Sequence, residues 1–144
     1  MYRFLFLIGC RFIAPGQGGE ILPAKKLSDC HAQEERTVPI RHRGICIEGA
    51  VSRENVLDMI DWLPKVGFNS YFIQFREGHT FFERWYTHQG NNLLEALPYN
   101  IEESRRFVRE AEAEIEKRSL IYHKVGHGWT CECIGYPSTG WHKV

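Results

Sequence analysis

Residues 41–49 read R-H-R-G-I-C-I-E-G, and their alternation decides the fold. Ile45 and Ile47 fall on one side of an extended chain. Gly44, Cys46 and Glu48 fall on the other. The stretch predicts one short buried strand over residues 44–48 that ends on a carboxylate. Ser52-Arg53-Glu54-Asn55 follows at once and reads as a helix start: Ser52 is a good N-cap, and Glu54 suits the positive end of the helix dipole. A strand that ends on an acid and feeds a helix is the opening unit of many parallel α/β proteins.

Working outward toward the C-terminus, the unit recurs. Val56, Met59, Ile60 and Leu63 are spaced i, i+3, i+4, i+7, so the helix after Ser52 has one apolar face. Pro64 and Gly67 mark its end. A second strand is predicted over residues 70–75. Tyr71, Ile73 and Phe75 share one face; Ser70, Phe72, Gln74 and Arg76 share the other. Residues 77–99 then read as a long loop carrying His79, Phe81, Phe82, Arg84, Trp85, Tyr86 and His88. A connection of that length is more often functional than not. Asn100 with Glu103 predicts a capping-box helix start, followed by an apolar stripe of Ile101, Val108, Ala111 and Ile115. A third strand is predicted over residues 120–125, with Ile121 and Val125 facing one way and Tyr122 and Lys124 the other. The sum is βαβαβ, with parallel strands and right-handed crossovers. Residues 126–144 show no further unit.

Residues 1–36 do not repeat this pattern. Residues 2–8 read as the last turns of a helix and 10–14 as a strand. Residues 15–19, P-G-Q-G-G, read as a loop, and 20–23 as a short second strand. The glycines form neither G-x-G-x-x-G nor a P-loop, so no phosphate cradle is expected. The division is therefore 1–36, a segment outside the pattern that ends in a linker, and 37–144, the βαβαβ portion.

Composition narrows the function. The chain of 144 residues suffices for one domain, and a hydrophobic share of 43% argues against disorder. A formal net charge of zero gives no attraction to nucleic acid or to an anionic membrane. No apolar run approaches the ~20 residues of a membrane-spanning helix. Five irregularly spaced cysteines predict reduced thiols, and so a cytoplasmic setting by default. Leu7-Ile8-Gly9-Cys10 resembles a bacterial lipoprotein cleavage box and makes export the lesser alternative.

The three predicted strands deliver polar groups to one edge, which carries the site in α/β barrels and open α/β sheets. Candidate ligand-binding residues there are Glu48, Gln74, Arg76, Lys124, His127 and Trp129, with Trp85 from the connection. Glu48 is either a ligand-contacting acid or the partner of Arg43, Arg76 or Lys124. His127 and Trp129 either meet a ligand, with the indole stacked on a sugar ring, or pack their loop. Trp85, Tyr86 and His88 are either a ligand platform or a lid. His123, His127, Cys131 and Cys133 carry ligand types for zinc but lack C-x2-C spacing. No metal and no cofactor are expected, and nothing singles out a nucleophile.

Taken together, R-G-I-C-I-E-G, K-V-G-F-N-S-Y, F-F-E-R-W-Y-T-H-Q and E-K-R-S-L-I-Y-H-K-V-G-H-G-W-T-C-E resemble a bacterial domain-of-unknown-function family of glycosidase-like barrel proteins. That family looks related to glycoside hydrolases of the β-hexosaminidase and α-glucuronidase type. The resemblance covers residues 41–141. The stretch L-I-G-C-R-F-I-A-P-G-Q-G-G-E resembles the end of the small α/β domain that precedes such barrels. It implies a (β/α) TIM barrel of eight strands and about 250 residues, of which three strands stand here, so the chain reads as a truncated piece. It implies a glycan as substrate or ligand. Glu48, Arg53, His127 and Trp129 match binding or motif positions. The catalytic carboxylates of the related enzymes follow a fourth strand, so no catalytic residue is assigned. The expectation is a glycan-binding portion of a glycoside hydrolase without turnover, whose unpaired sheet edges favour self-association. The alternative is a small carbohydrate-binding or protein-interaction module built on Trp85, Tyr86, His127 and Trp129.

Overall fold

The computed structural model describes residues 2–24, 26–47, 52–73, 78–88 and 91–124. Its elements are α1 (Tyr2–Leu7), β1 (Arg11–Phe12), β2 (Glu20–Ile21), β3 (Gly44–Ile47), α2 (Arg53–Lys65), β4 (Ser70–Ile73), α3 (Gly78–Tyr86), α4 (Ile101–Lys117) and β5 (Ile121–Lys124). A single 3-10 turn, Leu27–Asp29, interrupts the stretch between β2 and β3.

β3, β4 and β5 form one parallel sheet in that order, with Ile45 opposite Tyr71 and Tyr71 opposite Tyr122. The strand period of two then assigns the faces. Tyr71 and Ile73 are buried in a core with Val56, Ile60 and Leu63 of α2 and with Phe107, Ala111 and Ile115 of α4. Ile45 and Tyr122 pack against it from the neighbouring strands. In β5 it is therefore Tyr122 that meets the core, while Ile121 is exposed. Both crossovers lie on one side, since α2 packs on α4 and α4 on α3. The opposite face carries Cys46, Phe72 and His123 in one cross-strand row.

Local chemistry explains the boundaries. Ser52 Oγ accepts from the Asn55 amide at 3.1 Å and caps α2. Pro64 falls one residue before the end of α2, where it halts propagation without breaking the helix. Gly67 then takes φ +94°, a left-handed position open to glycine. The next turn is held by Asn69, whose Oδ1 accepts from the Arg43 amide and whose Nδ2 donates to the Arg41 carbonyl, both at 2.8 Å. One amide side chain thus fixes the entry to β3 against the entry to β4. At α4, Asn100 and Glu103 form the full capping box, with bonds of 2.9 and 3.1 Å. Asn100→Ala removes one of them and leaves a helix amide unpaired. It is expected to cost about 1 kcal/mol in urea unfolding, and a loss of under a few tenths would discount the cap.

The reading of residues 77–99 as a loop is corrected: Gly78–Tyr86 is helix α3. Its rings pair at i, i+4, with Phe81 stacked on Trp85 (5.8 Å) and Phe82 on Tyr86 (6.2 Å). Gly78 lets the helix approach closely, since a Cβ there would already touch Ile73 and Val108.

The N-terminal segment forms α1 and an antiparallel hairpin, β1–β2, in the predicted places. It docks on α2: Trp62 Nε1 donates to the Phe12 carbonyl at 3.0 Å, and Lys65 pairs with Glu20 at 2.6 Å. Lys65 also holds Asp61, which accepts from Arg118 Nη2 at 2.7 Å, and Arg118 reaches Glu114. Burial opposes the charge on Asp61, but the bonds from Lys65 and Arg118 outweigh it and hold its carboxyl below the ordinary range.

Candidate functional site

The end of the sheet where β3 runs into α2 carries an unusual group of side chains. Arg53 is the first residue of α2, so it stands at the carboxyl side of the strands. Its guanidinium lies over the Phe107 ring at 4.9 Å and near the Tyr99 ring at 6.0 Å. Tyr99 in turn meets Tyr86 edge-on, with centroids 5.2 Å apart. The chain after α3 folds back to allow this, with the Leu97 amide donating to the Tyr86 carbonyl at 3.2 Å.

Three polar atoms in this cluster are buried without a hydrogen-bond partner among the described residues. They are Arg53 Nε and the hydroxyls of Tyr86 and Tyr99. Tyr86 is only 4% exposed. Burial pushes its phenol well above the ordinary range, with smaller contributions from Tyr99 and Glu54, while Arg53 opposes the shift. The phenol is thus a neutral donor and acceptor at every physiological pH. Among the described residues the carboxylate contact of Arg53, to Glu110, is long at 3.5 Å. Leaving a buried polar group unmatched costs about 1–3 kcal/mol, and native chains keep few of them. These atoms are closed off from solvent in the structure, so an oxygen-rich ligand such as a polyol or carboxylate would reach them only when the neighbouring side chains part.

Of the residues expected from sequence, Trp85 and Lys124 are described. Trp85 stands on α3, 45% exposed. It walls a shallow hollow of about 260 Å³ with Arg84, His88, Asn91 and Leu94. Lys124 ends β5 on the helix-bearing face, paired with Glu112 of α4 and 5.2 Å from the Tyr122 ring. The two are on separate elements. Glu48, Gln74, Arg76, His127 and Trp129 lie outside the described residues, as do Cys131 and Cys133. His123 stands on the open face, its ring 5.8 Å from Phe72 and 6.4 Å from His42. Among the described residues no three metal-ligating side chains converge, and no helix is long and apolar enough to cross a membrane.

Arg53 is the one member of the cluster to which the family resemblance pointed. Tyr86 was legible as part of a ligand platform or lid, but its meeting with Tyr99 was not, because that depends on how the chain after α3 turns back.

The fold and this cluster define a mixed α/β protein with a three-stranded parallel sheet and polar groups unspent at its carboxyl edge. Comparison with protein-family models, with curated proteins and with solved structures finds no match.

Proposed function

We propose that this chain is the opening portion of a glycosidase-like (β/α) barrel and that it binds a glycan at the carboxyl edge of β3, β4 and β5. The observation that carries the reading is the consecutive parallel order β3-β4-β5 with its helices on one face. The βαβαβ half of a doubly wound sheet has the same arrangement, so the order fits both folds, and the resemblance of residues 41–141 supplies the choice of a barrel. The unspent Arg53 and Tyr86 groups sit at the edge where a barrel keeps its ligand. The catalytic carboxylates of the related enzymes have no counterpart assigned here, so binding without cleavage is the expected activity.

Tyr86→Phe tests the site. Removing a buried hydroxyl that has no partner leaves stability unchanged or raises it. If the hydroxyl meets a glycan, the same change weakens binding by up to about tenfold, the worth of one hydrogen bond. Titration with neutral and uronic-acid oligosaccharides, followed by tryptophan fluorescence, reads the affinity. Binding that is equal in both proteins removes Tyr86 from the site, and no saturable binding overturns the reading. A measurable rate on aryl glycosides that is lost on Glu48→Gln would overturn the absence of turnover.

The exposed ring of Trp85 beside its hollow favours a second reading, a small carbohydrate-binding or protein-interaction module. There Trp85→Ala abolishes binding while Tyr86→Phe does not.

A further inference from the structure

A second cavity, of about 440 Å³, opens between α1, β1 and the last turn of α2. Its floor and walls are apolar: Phe6, Phe12 and Val66 contribute, and Phe6 and Val66 remain well exposed at 42% and 38%. Its charged lining consists of Arg3, Arg11, Arg36 and Lys65, with no carboxylate among the lining residues. Two of these cations are neutralised. Arg3 pairs with Glu34, and Lys65 pairs with Glu20 and Asp61.

The other two make no ion pair among the described residues, although Arg36 lies near enough to Glu34 to help the bond from Arg3 hold its carboxyl below the ordinary range. Arg11 lies 4.2 Å over the Phe6 ring and gives Nη1 to the carbonyls of Phe6 and Cys10. These bonds fix the guanidinium against the cavity wall, and its remaining N–H groups meet no acceptor among the described residues. Among the described residues neither Arg11 nor Arg36 is ion-paired with a carboxylate. The carbonyl end of α2 nearby contributes about half a negative charge, which two full positive charges exceed. The cavity also stands apart from the edge described above. Gly67, in its lining, accepts from Arg43 Nε at 2.7 Å at the entry to β3 and β4, the amino end of the sheet.

We propose that this cavity binds a small amphiphilic carboxylate, an aromatic or medium-chain aliphatic acid. Its apolar body lies on Phe6, Phe12 and Val66, and Arg11 and Arg36 meet its head. The volume lies within the 300–1,000 Å³ of small-molecule sites. A planar guanidinium, pre-set on an aromatic ring, matches a carboxylate with two parallel bonds. The proposal does not depend on the glycan reading.

Decanoate and decanol, titrated separately into the full chain by calorimetry, test it. Decanoate is expected to bind saturably at one per chain and decanol at least tenfold more weakly, the discrimination that charge-assisted hydrogen bonds give. Arg36→Gln is expected to weaken decanoate about tenfold without changing circular dichroism or decanol binding. Val66→Arg, which fills the cavity, is expected to abolish both. Among the described residues the exposed Arg36 side chain makes no hydrogen bond, so its replacement keeps the test clear of unfolding. Arg105→Gln, on an exposed face of α4, serves as the control. Equal affinity for acid and alcohol, equal losses in Arg36→Gln and Arg105→Gln, or no saturable binding would each overturn the proposal.

Discussion

Phe107→Ala is expected to lose about 3–5 kcal/mol in urea unfolding, the ordinary cost of emptying a fully buried aromatic site. Phe107 is completely buried. Its edge meets Phe82 of α3 at a centroid distance of 4.9 Å and an interplanar angle of 75°, and its face carries the Arg53 guanidinium at 4.9 Å. The ring therefore joins three helices. Edge-to-face pairs add about 0.5–1.5 kcal/mol beyond area burial, so the loss belongs toward the upper end. A domain of this size has about 5–15 kcal/mol in all, and the variant stands near its unfolding threshold. Phe107→Leu retains most of the volume and is expected to cost well under half as much. A loss below about 1 kcal/mol for Phe107→Ala would mean that α3 does not pack on α4 as described. The same substitution removes the platform under Arg53, so glycan affinity is expected to fall with stability.

Phe107 also marks where pattern reading stops short. The predicted stripe on α4 was Ile101, Val108, Ala111 and Ile115; the buried set is Ser104, Phe107, Ala111 and Ile115. The two share their last members and differ by a small rotation at the N-terminal end. There the helix meets α3, whose presence the sequence had hidden. Ser104 explains the rotation: it is buried, and its hydroxyl donates to the His79 carbonyl at the head of α3. A serine on an apolar stripe looks like an error in the pattern until its partner element is known. Helix α3 escaped notice because aromatic residues are middling helix formers and the segment opens on glycine. Its helical signal was the pair of i, i+4 aromatic contacts, 81 with 85 and 82 with 86. The strands, by contrast, were legible from their period of two, and α2 and α4 from their caps, because those signals are local. Arg53 and Tyr86 belong to the other kind. Their proximity across 33 residues is set by the packing of α3 and by the return of the following chain, neither of which leaves a local mark.

Gly19→Ala is expected to open the β1–β2 hairpin, at a cost of about 2–3 kcal/mol for overpacking against a rigid backbone. Gly19 is buried. A Cβ there would fall inside the van der Waals surface of the Ala14 carbonyl oxygen and 2.8 Å from its carbon. Backbone on both sides of the clash leaves no side chain to rotate away. The hairpin is closed there, with the Ile13 amide donating to the Gly19 carbonyl at 2.8 Å. Gly18→Ala is the useful contrast: φ of +82° strains it, but its Cβ meets nothing within 4 Å, so it is expected to cost only about 1 kcal/mol. Hydrogen exchange separates the local event from global unfolding. In Gly19→Ala the Ile13 amide is expected to lose protection at least tenfold, while amides of β4, held from both sides by β3 and β5, keep theirs. Loss of protection in both places would mean that the hairpin and the sheet unfold as one unit, through Trp62 on the Phe12 carbonyl and Lys65 on Glu20. Because Arg11 and Phe12 lie on β1 and wall the basic cavity, Gly19→Ala is also expected to abolish decanoate binding and leave Tyr86-dependent glycan binding intact. The two sites stand at opposite ends of the sheet, and one glycine distinguishes them.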